Sequence, residues 1–88
     1  MKLTDMFPRT RFVDEFSFDR QLEVVVGEID EIRDAVVRGT NVDEEIFDVL
    51  HAATQLLYMR GLTESQINDY SAQIREKNDR RGYYGSDN

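Results

Sequence analysis

Four carboxylates recur at one spacing in the middle of this chain: Glu28 and Glu31, then Glu45 and Asp48. Residues three apart project from one face of a helix, so each pair forms a two-pronged acidic edge if its segment is helical. Between the pairs lies Arg38-Gly39-Thr40-Asn41, the composition of a turn. Helices joined by so short a turn run antiparallel, which sets the two edges opposite each other. Carboxylates gathered in this way repel unless a positive charge sits among them, and a hard divalent cation with oxygen ligands is the usual partner. The chemistry expected is therefore a metal site that handles phosphates. Carboxylate oxygens, completed by water and phosphate oxygens, suit Mg²⁺ or Mn²⁺; a single histidine and no cysteine argue against zinc.

Composition narrows the classes of function. A chain of 88 residues makes one small domain that buries a modest fraction of its surface alone, so oligomerisation is an expected source of further core. The formal net charge of −7, from 18 acidic and 11 basic residues, disfavours nucleic acid and anionic membranes as partners. An acidic protein can hold a polyphosphate only with a bridging cation. Met1-Lys2-Leu3-Thr4-Asp5 has no apolar signal core and no run reaches membrane-spanning length, so a cytoplasmic protein without a membrane partner is expected.

An all-α chain must position the carboxylates. Residues 1–16 form an N-terminal arm of irregular structure, interrupted by Pro8, with Phe7, Phe12 and Phe16 available to cover one end of a core. The helical domain spans 17–81. Its first long helix opens at Ser17, an N-cap residue, and closes at Gly39. Leu22, Val25, Ile29, Ile32 and Val36 make its apolar stripe; Val24, Glu28, Glu31 and Ala35 form a second stripe beside it. Gly27 lowers helix stability by about 1 kcal/mol relative to alanine unless a neighbour approaches closely there.

The second helix is capped by Asn41 or Asp43, carries Asp43, Glu44 and Glu45 at the positive end of its dipole, and ends at Arg60-Gly61. Apolar residues from Ile46 to Met59 go nearly all the way round it, which implies burial on most faces. The chain has too few helices to bury it, so a second subunit is expected to complete a four-helix bundle as a dimer or tetramer. Glu45 and Asp48 share a stripe with Ala52, Leu56 and Met59, where a carboxylate is costly unless paired or metal-bound; Arg33 and Arg38 are candidate pairing partners.

A third helix is announced by Thr63 and Gln66, a capping box, with Leu62 and Ile67 as its hydrophobic staple. Ile67, Tyr70 and Ile74 give it one inward face, and helical spacing carries Lys77, Asn78 and Arg81 to that side. Residues 82–88 are polar and glycine-containing, an expected mobile tail. With the turn centred near Gly39 to Asn41, Glu31 and Asp48 come out level, about 12 to 14 Å from it, and are the expected pair for a shared ion.

Glu28-Ile29-Asp30-Glu31 followed by Glu45-Ile46-Phe47-Asp48 resembles the ExxE…ExxD pattern of the MazG-like, all-α nucleoside triphosphate pyrophosphohydrolases. Gly27, the run from Asp43 to Leu50, and Lys77-Asn78 with Arg80-Arg81-Gly82-Tyr83 extend the resemblance over about Gln21 to Tyr83. It implies an oligomeric helical bundle that binds Mg²⁺ and cleaves a (d)NTP between the α and β phosphates. On that pattern Glu28, Glu31, Glu45 and Asp48 ligate metal or orient the attacking water, Lys77 and Arg81 neutralise the polyphosphate, and Asn78 hydrogen-bonds the nucleotide.

The residues also admit a plainer account. An acidic quartet can be solvated, helix-stabilising charge, and Lys77, Asn78 and Arg81 can be a charged helix end obeying the dipole rule. Glu23, Asp30, Asp34 and Glu44 are expected to be ordinary surface residues, His51 a surface or interfacial one, and Tyr58 and Met59 core or subunit interface. The alternative function is a catalytically inactive helical module whose apolar second helix serves dimerisation.

Overall fold

A computed structural model describes residues 5–85, and it is all-helical. Four helices follow in order: α1 (Phe12–Glu15), α2 (Phe18–Arg38), α3 (Val42–Met59) and α4 (Glu64–Arg80). No described helix is long and apolar enough to cross a membrane. Residues 1–4 of the arm and 86–88 of the tail lie outside the described residues.

The ends of the long helices follow from their terminal residues. Ser17 accepts a hydrogen bond from the Arg20 amide at the start of α2, and Gly39, at φ +73°, ends the helix in the left-handed region while its amide donates to the Ala35 and Val36 carbonyls. Asn41 precedes α3, also left-handed at φ +61°, with no side-chain cap bond. Asn41 thus acts through its tolerance of that conformation rather than as a hydrogen-bonding cap. Two left-handed residues within three reverse the chain. Thr63 and Gln66 form the reciprocal capping box of α4, with bonds of 3.1 and 2.9 Å.

α2 and α3 pack as an antiparallel hairpin, with the small Ala35 and Ala52 buried. The face that α2 turns to α3 differs from the apolar stripe expected of it. Gln21 and Ala35 are buried and Val24, Val25, Glu28 and Ile32 half-buried, whereas Leu22, Ile29 and Val36 stand exposed. The seam therefore falls between the two stripes. Val25 and Ile32 serve it, and the rest of the apolar stripe is left to another surface. On α3, too, Ile46, Phe47 and Leu50 are exposed, so burial on most faces is not achieved within one chain.

The arm is more structured than the sequence suggests. Its one-turn helix α1 packs on α3, and α3 side chains hold the irregular approach to it: the Gln55 amide group donates to the Pro8 carbonyl and its oxygen accepts the Thr10 amide, both at 2.9 Å, while the Tyr58 hydroxyl donates to the Phe7 carbonyl. Backbone groups beside a proline have no helical partners, and polar side chains on an otherwise apolar helix satisfy them. Tyr58 is accordingly an anchor for the arm.

α4 leaves the hairpin at the end of α3. Ile67 alone of its apolar face is buried; Tyr70 and Ile74 are exposed. Beyond Arg80 the chain closes a further turn, in which the Tyr83 amide donates to the Asn78 carbonyl and the Arg81 guanidinium lies 5.9 Å from the Tyr83 ring.

Candidate metal centre

Helical spacing on α2 and α3 brings Glu28, Glu45 and Asp48 together, with one carboxylate oxygen of each within 4.8 Å of the others. Glu28 and Glu45 are half-buried and Asp48 exposed. Loss of solvent, followed by the charges of Asp48, Glu45 and Glu31 in that order, pushes the Glu28 carboxyl above its ordinary range; His51 acts weakly in the opposite sense. The donor set is hard and all-oxygen, the chemistry that hard divalent cations require.

Glu31 is exposed and stands outside this trio, yet it is near enough to act on the Glu28 charge. The trio centres on Glu28, roughly one turn deeper on α2 than Glu31, which was expected to pair with Asp48. The same register places Gln21 opposite Ala52, whose carbonyl accepts from the Gln21 amide at 3.0 Å. Which stripe of α2 faces α3 decides the matter, and the Glu28 stripe does.

The basic residues expected on the phosphate side are not drawn in by this chain. Lys77 and Asn78 are half-buried near the end of α4 and Arg81 is exposed; neither cation pairs with any of the four carboxylates. Arg33 and Arg38 likewise make no ion pair with Asp48 among the described residues, where the ion pairs are Arg9–Asp14, Arg11–Glu15 and Arg80–Glu76. Glu23, Asp30, Asp34 and Glu44 are exposed.

Glu28 and Asp48 also form part of the wall of a cavity of about 290 Å³ that lies between the arm and the hairpin. Phe12, Phe16, Thr10 and His51 contribute to the same wall. His51 is half-buried and meets the Phe7 ring edge-on at 5.1 Å, so it belongs to this cavity rather than to open surface. The Thr10 hydroxyl is closed off from solvent and has no hydrogen-bond partner. The sequence held one signal for this region: Thr54 and Gln55 interrupt an apolar helix, and buried polar residues there imply backbone to be satisfied nearby.

No protein family, curated protein or solved structure matches this chain.

Proposed function

We propose that the protein is a Mg²⁺-dependent nucleoside triphosphate pyrophosphohydrolase that cleaves a (d)NTP to the monophosphate and pyrophosphate. The observation that supports this reading above others is the convergence of Glu28, Glu45 and Asp48 across the α2–α3 hairpin. Those three residues would hold Mg²⁺, or Mn²⁺ in its place. When bound, such an ion polarises phosphoryl oxygens and lowers the pKa of water. Glu31, outside the trio but beside it, would orient the attacking water and take its proton.

Lys77, Asn78 and Arg81 would act on the polyphosphate from a second copy of the chain, since α4 leads them away from its own hairpin. This goes with a homo-oligomer, dimer or tetramer, in which exposed Leu22, Val26 and Ile29 of α2 and Phe47 and Leu50 of α3 are covered in a four-helix bundle between subunits. The net charge of −7 favours free nucleotides in the cytoplasm over nucleic acid as substrate. The same exposed apolar residues favour the second reading, an inactive dimerisation module.

Pyrophosphate release measured with and without Mg²⁺ across common and modified (d)NTPs separates the two. Mg²⁺-dependent release from at least one is expected. No release from any, with no thermal shift on adding Mg²⁺ and a non-hydrolysable nucleotide, leaves the interaction module.

A further inference from the structure

We infer that His51 is a substrate-binding residue, its ring donating a hydrogen bond to a phosphate oxygen of the nucleotide held at the carboxylate trio. The inference rests on the nucleotide reading above and adds to it a phosphate contact supplied within one chain.

His51 follows Asp48 by three residues on α3, so the two share a face and stand about 4.5 Å apart along the helix axis. Both line the half-open space between the arm and the hairpin, and Glu28 lines it from α2. A phosphate joined to these carboxylates through a cation therefore lies within about one helical turn of the imidazole. The ring is also near enough to Glu28 for its charge to act on that carboxyl, against the effect of the other carboxylates.

A half-buried histidine is ordinarily accounted for by packing or by a hydrogen bond within its own chain. Packing is present on one side. The ring meets Phe7 at 90° with centroids 5.1 Å apart, and Phe7 is fixed in turn by the Tyr58 hydroxyl, which donates to its carbonyl at 2.7 Å. Hydrogen bonding is not: neither ring nitrogen of His51 has a partner among the described residues. The other charged residues of the wall are carboxylates, and the Gln55 amide is engaged with Pro8 and Thr10 backbone. His51 is thus the one wall residue whose side chain can carry positive charge, and an imidazole always has a ring N–H to donate. A ring already oriented by packing, with its nitrogens uncommitted, loses little freedom when an anionic ligand arrives.

The test measures kcat and KM with Mg²⁺, on a triphosphate that the full chain cleaves, for the parent, His51→Phe and His51→Gln. Phenylalanine keeps an aromatic ring against Phe7 and removes the nitrogens; glutamine keeps a donor and removes the ring. His51→Phe should raise KM about tenfold, keep kcat within about threefold and not lower the thermal midpoint. His51→Gln should raise KM less. A KM for His51→Phe within about twofold of the parent, or a larger rise in His51→Gln than in His51→Phe, assigns the ring to packing and overturns the contact while the pyrophosphohydrolase stands. If no triphosphate is cleaved, the pyrophosphohydrolase falls; in that case, or if His51→Phe does not fold, the unaltered chain decides the contact by binding. The ring-nitrogen NMR signals of its single histidine should move on adding inorganic tripolyphosphate with Mg²⁺ and stay in place with Mg²⁺ alone. No movement, or the same movement with Mg²⁺ alone, overturns the contact.

Discussion

Glu28 sits where helix packing and electrostatics oppose each other: the hairpin half-buries it, and Asp48, Glu45 and Glu31 surround it with like charge. A carboxyl whose pKa is raised on folding holds its proton more tightly in the folded than in the unfolded chain. Its contribution to stability is fully present below the ordinary value of 4.5 and is lost as pH rises through the folded value. At neutral pH burial and the neighbouring carboxylates therefore make Glu28 a cost to the metal-free fold. Glu28→Gln should be more stable than the parent at pH 7 without metal, and the difference should vanish below pH 4.5; urea titrations at both pH values in chelator check this. Saturating Mg²⁺ should stabilise the parent and not this variant. Asp48→Asn bears on the chemistry directly. Its oxygen lies within the trio while the residue is exposed, so the substitution should cut kcat by at least about 100-fold and leave the circular dichroism and sedimentation unchanged. At this scale the residue types and the i, i+3 spacing were legible in the chain, because both follow from helix geometry. The choice of Glu28 over Glu31 as the inward member was not, since it depends on which stripe of α2 meets α3. His51 and Thr10 were illegible for another reason: they become neighbours of the carboxylates only through an arm held by Gln55 and Tyr58 from 45 to 51 residues away.

Helix boundaries were the most legible elements, since local rules govern them. Ser17, Gly39 and the Thr63–Gln66 box stand where their chemistry puts them. Thr63→Ala removes the oxygen that accepts the Gln66 amide and should cost about 1 kcal/mol in chemical denaturation. The one-turn α1 escaped the same rules. Too short to show a period, it depends on its Arg11–Glu15 pair, its Phe12–Phe16 contact and the α3 surface beneath. Gly27 bears on what lies against α2. A β-carbon there meets nothing within 4 Å, so within one chain the glycine only loosens the helix. Gly27→Ala should raise stability by about 1 kcal/mol, read from the urea midpoint at constant slope. A loss instead would locate a partner's backbone against this point of α2, because crowding there has no source in the chain itself.

The molecule as a whole is more open than its mass requires. A compact monomer of 10.3 kDa exposes about 5,350 Å² and, at this length, has a radius of gyration of about 12 Å; the chain exposes 6570 Å² with a radius of 15.4 Å. The excess of roughly 1,200 Å² exceeds the ~800 Å² that each partner gives to a standard interface. Much of the open surface is apolar, including Val26 at 58 % and Phe47 at 60 % exposure, while the buried apolar core among the described residues is Ala35, Ala52 and Ile67. So small a core leaves little hydrophobic stabilisation to set against chain entropy, and in the proposed oligomer a second copy would supply what is missing by covering the open stripes. Folding and assembly are then linked, and the thermal midpoint should rise with protein concentration. Sedimentation equilibrium at micromolar concentration should show a dimer or tetramer. Val26→Lys combined with Phe47→Lys should shift it toward monomer and reduce helicity, although neither side chain is buried in its own chain; helicity unchanged in a parent that sediments as a monomer would show that the hairpin stands alone, and would remove the second subunit as the source of Lys77 and Asn78.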